Sequence, residues 1–260
     1  VMTGGFATIA GSVLSAFVLI LGNDDQSKLE FAKHLLTASA MSAPGAFVIA
    51  KIMLPESDLP ETRSDSVAQA ERETSNVLDA AAAGATDGLK LALNVAAMLI
   101  AFVAILALLD WPISAFGETR AGDWVESAVG IEVLSLQSLL GLIFLPVAYL
   151  MGLSGSDASA VGSLLGTSMI ATEFVAYLQL GDLIDASGIS PRAAAVASFA
   201  LCGFANLPSV AIQIGGLSAL APERRAEIAA LGPRAMLAGA MTCWMTGCIA
   251  SVFIPTPSPL

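Results

Sequence analysis

The sequence predicts an all-α membrane protein that crosses the bilayer several times, and three observations support this fold class. Of the 260 residues, 56% are hydrophobic and only 13% are charged, whereas a typical soluble domain carries about 25% charged residues. The apolar residues form runs of the length that a helix needs to cross a bilayer, which is roughly 20 residues. Most acidic residues lie between these runs, so the net charge of −11 belongs to the connections and argues against nucleic-acid binding.

Seven apolar segments are candidate membrane spans. They comprise residues 1–22, 35–54, 89–109, 133–153, 158–180, 193–220 and 231–254. The chain opens directly into the first segment without a basic leader, which argues against a signal peptide and suggests a fragment whose upstream part is missing. Arg224, Arg225 and Arg234 favour the cytoplasm for the loop before the last segment, so we expect the C-terminus to lie outside.

The longest polar connection covers residues 55–88. Its second half mixes charge with alanine, which favours a surface helix at 65–87 leading into the next span. We assign residues 55–157 to this interfacial helix and to scaffold spans. Cys202, Cys243 and Cys248 all lie in apolar runs, where packing is a more common role than a disulfide or a metal site; we expect no cofactor.

The segment 158–180 differs from the other apolar segments because its middle is polar. Gly162, Gly166 and Thr172 precede the ionisable Glu173. Non-helical backbone is tolerated at membrane depth only where protein or a water cavity surrounds it. These residues therefore predict two half-helices that meet at a tip, a re-entrant hairpin, with one ordinary polar span as the alternative.

Two parts of the sequence repeat one another in the same order. Gly5-Phe6-Ala7-Thr8-Ile9 matches Gly203-Phe204-Ala205-Asn206-Leu207, and Ala38-Ser39-Ala40-Met41-Ser42 matches Ala238-Gly239-Ala240-Met241-Thr242. Weak internal repeats with interrupted spans are typical of secondary transporters, whose sites lie at the repeat interface. We therefore predict an inverted-repeat transporter with broken helices, in which residues 1–54 form the first unit and 158–254 the second. Because a hairpin begins the second unit, a matching hairpin is expected upstream of Val1.

Glu173 is an acid placed deep in an apolar segment. An acidic side chain at the centre of a membrane helix costs roughly 2.5–3.5 kcal/mol on insertion scales, so its presence needs a reason. An ionised carboxylate only accepts hydrogen bonds, which suits a ligand rich in hydroxyl donors, such as a sugar. A packing carboxylate satisfied by its neighbours is the alternative.

A second polar cluster runs from Phe204 to Ser209. Pro208 cannot donate to the carbonyl of Phe204, so it is expected to kink or break the helix. Asn206 offers donors and acceptors, Ser209 offers a hydroxyl, and the Phe204 ring adds a flat apolar face. Together these groups could hold a ring with polar edges; a proline kink with incidental polar neighbours is the alternative.

The first repeat unit has its own candidate site around Thr8. This residue brings a hydroxyl, and Gly4, Gly5 and Gly11 allow the helix to unwind. Unwound carbonyls and a hydroxyl are hard oxygen ligands that suit a small cation. Glycines for close helix packing explain the same residues equally well.

At these motifs the sequence resembles the concentrative nucleoside transporters. The matching stretches occur in the family's order and span essentially the whole chain. They are Gly5-Phe6-Ala7-Thr8-Ile9-Ala10-Gly11-Ser12-Val13, Met41-Ser42-Ala43-Pro44, Ser135-Leu136-Gln137, Glu173-Phe174-Val175-Ala176-Tyr177, Cys202-Gly203-Phe204-Ala205-Asn206 and Gly215-Gly216-Leu217. The fourth and fifth stretches together are highly specific.

The resemblance implies cation-driven uptake of nucleosides by alternating access across the cytoplasmic membrane. It further implies a homotrimer in which each protomer has a scaffold and a transport domain. The residues that match the family's site are Glu173, Asn206, Ser209 and Phe204 for the ribose, Val13 for the nucleobase, and Thr8 (hydroxyl) and Ile9 (carbonyl) for sodium. Whether sodium or a proton drives transport stays open.

The sequence also departs from the family pattern. Thr172 stands where the family usually has asparagine, and Pro208 stands where serine is usual. The first hairpin, which carries further nucleobase and sodium ligands in the family, is absent. Without it, we do not expect the chain to transport by itself.

Two other functions fit the residues less well. A secondary transporter for another small polar solute is the alternative, although a carrier of amino acids or carboxylates would place an anion beside Glu173 with no basic residue to receive it. An intramembrane serine protease would need a base for Ser154, and His34 is the single histidine and lies in a polar connection. We therefore expect no enzyme activity.

Overall fold

The computed structural model describes residues 1–55, 74–129 and 133–255, and the regular elements in these ranges are all helices. The α-helices are α1 (Met2–Ala7), α2 (Gly11–Leu21), α3 (Asp25–Met53), α4 (Val77–Gly117), α5 (Arg120–Val129), α6 (Leu136–Leu150), α7 (Gly155–Ile170), α8 (Glu173–Asp185), α9 (Pro191–Ala200), α10 (Leu207–Leu220) and α11 (Arg225–Phe253). The predicted all-α fold class is confirmed.

Several of the described helices are long and apolar enough to cross a bilayer. Met2–Leu21, Asp25–Met53 and Pro222–Phe253 each meet that requirement. Ser138–Leu150 and Gly155–Ile170 meet it as a pair, with their axes turned by 116°. The prediction of a multi-pass membrane protein is therefore confirmed.

Helix α4 joins two predicted elements into one. It begins after Asn76, whose side chain accepts a hydrogen bond from the Asp79 amide (2.9 Å), and it runs without interruption for 41 residues. At 1.5 Å per residue this is about 60 Å, or about twice the thickness of a bilayer core. The predicted surface helix at 65–87 is thus continuous with the predicted span at 89–109, and residues 65–73 lie outside the described residues.

Helix α3 begins ten residues before the predicted span at 35–54. Asp24 and Ser27 cap it reciprocally, since the Asp24 carboxylate accepts from the Ser27 amide (2.7 Å) and the Ser27 hydroxyl accepts from the Asp24 amide (3.1 Å). This capping box starts the helix in its charged part. His34 therefore lies inside α3, between the rings of Phe31 and Phe199, and not in a polar connection as the sequence suggested.

The predicted break in 158–180 is present, and the segment before it differs from the prediction. Helix α7 ends at Ile170 and α8 begins at Glu173, so the two half-helices meet at residues 171–172. The predicted separate span at 133–153 contains α6, which has 15 residues and a length of about 22 Å, shorter than a bilayer core of about 30 Å. Helix α6 instead packs against α7 and adds a third helix to the α7–α8 hairpin.

Glycines make this close pairing possible. A methyl group at Gly162 would lie 2.7 Å from the Gly141 carbonyl oxygen, and one at Gly166 would collide with Leu140. The turn between α6 and α7 contains Gly152 and Gly155, whose φ angles are 71° and 58°, a region that favours glycine. Ser154, the serine considered for the protease alternative, lies in this turn.

The two repeat units cross the bundle in opposite directions. Asn23, just after α2, donates to the Asp185 carboxylate at the end of α8 (2.7 Å). Asp157, at the start of α7, accepts from the amide and the hydroxyl of Ser190, just before α9 (3.0 and 2.6 Å). The end of α2 and the start of α9 therefore lie at the same end of the bundle, and α1–α2 runs antiparallel to α9–α10, as expected of an inverted repeat.

Charge differs between the two ends of the bundle. The end that holds the start of α9 carries Asp24, Asp25, Glu30, Asp157, Asp182 and Asp185 with Lys28, Lys33 and Arg192. The opposite end carries Lys51, Arg224, Arg225 and Arg234 with Glu223 and Glu227. Among these described residues Lys and Arg, which set membrane orientation, number three at the first end and four at the second, so the cytoplasmic placement of the second end still rests on its arginine cluster.

Arg192, at the start of α9, forms hydrogen bonds with the ends of α6 and α11. Its guanidinium donates to the carbonyl oxygens of Gly152 (3.0 Å), Ser251 (3.1 Å) and Ile254 (3.4 Å). These carbonyls follow α6 and end α11, and the last carbonyls of a helix have no partner within that helix. One side chain thus satisfies groups from two helices while standing on a third, α9.

We expect Arg192→Ala to lower the thermal midpoint of the detergent-solubilised protein by several degrees. Each hydrogen bond to a charged group contributes about 1.5–3 kcal/mol, and each kcal/mol lost shifts the midpoint by about 2–4 °C in a chain of this size. Arg192→Lys should recover only part of the loss, because one ammonium cannot span three carbonyls.

The matched control is Arg224→Ala, which removes an exposed guanidinium that pairs with Glu227 (2.8 Å). Surface pairs of this kind contribute about 0–1 kcal/mol. Equal midpoints for the two alanine variants, measured by intrinsic fluorescence, would contradict the role assigned to Arg192.

Candidate functional site

Glu173 is the first residue of α8, directly after the break that follows α7. The Thr172 hydroxyl caps this helix by accepting from the Val175 amide (3.4 Å). A helix N-terminus carries a partial positive charge, which favours a carboxylate there. Only 3% of Glu173 is exposed, so the carboxyl group that follows the break lies in the interior of the bundle.

Asn206 and Ser209 lie beside Glu173 and form one hydrogen-bonded chain with it. The Asn206 amide nitrogen donates to Glu173 Oε2 (2.6 Å). The Asn206 side-chain oxygen accepts from the Ser209 hydroxyl (2.7 Å) and from the Ser209 backbone amide (2.9 Å). Asn206 and Ser209 are both buried, and buried polar groups are normally paired in this way. Three of the predicted ribose-binding residues are thus brought into direct contact.

The break before Asn206 differs from the one that Pro208 predicted. Helix α9 already ends at Ala200, and Pro208 is in the first turn of α10, where a missing N–H needs no partner. The carbonyl of Phe204 is not left free, because it accepts from the Asn206 amide (3.1 Å). The helix is therefore interrupted over residues 201–206, and Pro208 starts the next helix instead of kinking a continuous one.

Phe204 connects this break to the break in the first repeat unit. Its backbone amide donates to the carbonyl of Phe6, the last but one residue of α1 (2.7 Å). Phe6 and Phe204 are equivalent positions of the repeated motif, so the two breaks meet at matching residues. The Phe204 side chain is half-buried, and its role beside a ribose stays a prediction.

The first break covers Thr8, Ile9 and Ala10, between α1 and α2. The Thr8 hydroxyl donates to the Gly4 carbonyl (2.9 Å), which leaves the lone pairs of its oxygen as acceptors. Ile9 and Val13 are half-buried and pack against the main core. The predicted unwinding is present, and oxygen atoms of the kind that hold a small cation are located there.

Cys243, on α11, lies where the two breaks approach each other. Its thiol is close to the carbonyls of Ala7 (3.7 Å) and Cys202 (3.4 Å), which end α1 and follow α9. Close approach is possible because Gly203 and Gly239 have no side chain; a methyl group at either would collide with Cys243 or Phe6, respectively. A packing role was expected for Cys243 from its place in an apolar run, but its contact with both breaks is not visible in the sequence.

The site combines a single carboxylate with neutral polar groups. Asn206 uses one of the roughly four lone-pair positions that a carboxylate offers, so Glu173 can accept further hydrogen bonds. The described polar partners within the Glu173–Asn206–Ser209 chain bring no positive charge. Such a site suits an uncharged ligand that donates hydrogen bonds from neighbouring hydroxyls.

Comparison with known proteins places the chain among transporters. The family described as Na+ dependent nucleoside transporter C-terminus matches residues 34–251. The chain is 39% identical to solute carrier family 28 member 3 of Mus musculus over 99% of the chain and 36% of that protein. It is 37% identical to sodium/nucleoside cotransporter 2 of Rattus norvegicus over 98% of the chain and 38% of that protein.

The fold is also similar to that of solved transporters. The structure of CNTnw in an inward-facing substrate-bound state superimposes with a TM-score of 0.77 at 38% identity, over 97% of this chain and 56% of that one. The chain therefore spans between about a third and somewhat more than half of the length of these relatives, and the matched family segment is their C-terminal part.

Proposed function

Because the chain belongs to the Na+ dependent nucleoside transporter family, we propose that it forms the C-terminal part of a symporter that takes up nucleosides by alternating access. The observation that carries this proposal is the buried hydrogen-bonded chain of Ser209, Asn206 and Glu173 at the junction of three helix breaks. The cytoplasmic membrane is its proposed location.

In this mechanism the ribose takes the acceptor positions around Glu173. The carboxylate accepts hydrogen bonds from the ribose hydroxyls, and Asn206 and Ser209 supply the polar groups next to it. Phe204 provides an apolar face, and Val13, on α2, contacts the nucleobase. A neutral ligand avoids the repulsion that an anionic solute would meet beside Glu173.

The coupling cation, Na+ or H+, acts at the first break. For sodium, the Thr8 hydroxyl and the Ile9 carbonyl supply hard oxygen ligands, and a hairpin of the same kind as α7–α8, upstream of this chain, supplies the others. Each ligand lowers the cost of ordering the other's site, which couples the two binding events. Loading both ligands then permits the transport domain, built from residues 1–54 and 158–254, to move past the scaffold in 55–157.

A homotrimer is part of the proposal, since the family resemblance implies it. Large apolar side chains are exposed on the described helices, for example Phe47, Ile143, Val252 and Phe253. In the proposed assembly they contact lipid, the upstream part of the transporter or neighbouring protomers. Crosslinking and native mass spectrometry of the purified full transporter measure that oligomeric state directly.

The experiment that tests the function is uptake into proteoliposomes containing the full transporter. We expect inward sodium or proton gradients to drive accumulation of labelled uridine or adenosine above the level in empty liposomes. Unlabelled nucleosides should compete, whereas 2′,3′-dideoxynucleosides should compete at least about 100-fold less well, because they lose two hydrogen bonds to a charged acceptor at about 1.5 kcal/mol or more each.

Two results would overturn this function. The first is the absence of nucleoside uptake under either gradient. The second is equal competition by dideoxynucleosides, which would show that the Glu173 carboxylate does not bind the ribose hydroxyls. That result would favour a transporter for another small polar solute.

A further inference from the structure

We infer that Tyr177 is a positioning residue that transmits the effect of the coupling cation from the first helix break to the ribose-binding carboxylate. The inference rests on the proposed function. Tyr177 lies four residues after Glu173 on α8, and residues at this spacing share a helix face. It is fully buried, at 0% exposed, and is the largest such side chain in the described part of the protein. None of the ligand-binding roles proposed above uses it.

The Tyr177 hydroxyl holds the end of the helix that precedes Asn206. It donates to the carbonyl of Ser198 on α9 (2.7 Å). In a continuing helix that carbonyl would accept from the Cys202 amide, but the Cys202 amide donates to Phe199 instead (3.2 Å). The hydroxyl therefore replaces a backbone hydrogen bond that the break has removed, and it ties α8 to the start of the interruption.

The Tyr177 ring contacts the first repeat unit. It stacks on Phe17 of α2, with the ring centroids 3.9 Å apart and the planes inclined by 22°. Phe17 is also 0% exposed and lies four residues after Val13, so it shares that residue's face of α2. The ring of Phe174, which directly follows Glu173, also lies near the Phe17 ring, with the two centroids 6.1 Å apart.

One buried side chain on α8 thus joins α2 and α9, two elements that lie next to the proposed ligand groups in the chain. Helix α2 follows the Thr8–Ala10 break, α8 begins with Glu173, and α9 leads to Asn206. Protein interiors are packed at high density, so a shift of one buried ring displaces its neighbours. A cation that orders the first break fixes α2 and Phe17, and Tyr177 then fixes the position of Glu173.

The test measures nucleoside affinity in the purified full transporter with and without the coupling cation, by isothermal titration calorimetry. The quantity of interest is the ratio of the two dissociation constants, which is about 5–150 for typical allosteric coupling. We expect Tyr177→Leu to reduce this ratio at least about threefold. Phe17→Leu removes the other ring of the stack and should reduce the ratio by a similar factor. If Tyr177→Leu does not fold, the Phe17→Leu variant tests the inference in its place.

Two further variants separate positioning from general packing. Tyr177→Phe keeps the stack and loses the hydrogen bond to Ser198, so it should weaken nucleoside binding about threefold to tenfold under both conditions with the ratio intact. Phe144→Leu is the matched control, because Phe144 pairs with Trp244 (5.7 Å) between α6 and α11 and neither ring belongs to a residue given a ligand role. It should lower the thermal midpoint and leave the ratio unchanged.

The possible outcomes distinguish the inference from the function on which it rests. A wild-type ratio retained by folded Tyr177→Leu and Phe17→Leu proteins overturns the inference while the proposed function stands. The same fall in the ratio for Phe144→Leu also overturns it, since general packing would then explain the effect. A wild-type transporter that binds no nucleoside overturns the proposed function itself.

Discussion

Glu173→Gln is expected to reduce nucleoside uptake by the full transporter at least about 100-fold, because two ribose hydroxyls lose a charged acceptor at about 1.5 kcal/mol or more each. The substitution preserves the shape of the side chain. Its remaining oxygen can still accept from the Asn206 amide, the contact that measures 2.6 Å in the structure. The fold should therefore survive while the site loses its negative charge.

The measurement is initial-rate uptake of labelled uridine into proteoliposomes, with the amount of reconstituted protein quantified. Asp182→Asn is the matched control, because Asp182 stands on the same helix but is exposed, and it should transport normally. Glu173→Ala should be as inactive as Glu173→Gln. Uptake by the glutamine variant at more than about a tenth of the wild-type rate would remove Glu173 from the ribose site, since that loss corresponds to only about 1.4 kcal/mol.

Gly203→Ala is expected to destabilise the protein by about 1–3 kcal/mol, as overpacking of a dense interior does. The added methyl group would collide with the Cys243 thiol and would lie 2.8 Å from the Phe6 carbonyl oxygen. The second neighbour is backbone and cannot rotate away. Relief of the clash must stretch the hydrogen bond from the Phe204 amide to that carbonyl, so nucleoside binding should fall together with stability.

Fluorescence-detected size-exclusion chromatography after heating checks this result. Gly84→Ala serves as the control, because a methyl group there meets no atom within 4 Å and alanine favours a helix over glycine by about 0.5–1 kcal/mol. The control should therefore match or exceed the wild-type midpoint. A Gly203→Ala protein as stable as Gly84→Ala would mean that the two breaks are not closely packed.

Much of the candidate site could be picked out from the sequence because its residues violate ordinary rules for membrane helices. Glu173 stands out by its cost in an apolar segment, and Asn206 stands out because its motif repeats that around Thr8. The hydrogen bond between Glu173 and Asn206 joins residues 33 positions apart, across a tertiary contact that no local pattern encodes. Tyr177 carries the signal of its four-residue spacing from Glu173, but an apolar helix gives an aromatic residue many possible partners.

Other features escaped prediction for local reasons. The run at 133–153 stays apolar past the end of α6 at Leu150, so hydropathy cannot locate a turn that depends on the φ angles of Gly152 and Gly155. Pro208 is a strong helix breaker, yet proline is also favoured in the first turn of a helix. The capping by Asn206 decided between these two readings, because it starts a new helix just before the proline.

The hydrogen bond from Phe204 to Phe6, which joins the break after α9 to the break after α1, has a consequence for biosynthesis. The Phe6 carbonyl accepts from an amide that lies 198 residues later in the chain (204 − 6), which a ribosome reaches after about 10–40 s at 5–20 residues per second. The Ala7 carbonyl waits longer still, since the Cys243 thiol lies 236 residues away. An unpaired carbonyl costs several kcal/mol in hydrocarbon, so the first broken helix gains part of its stability only after the second unit has been made.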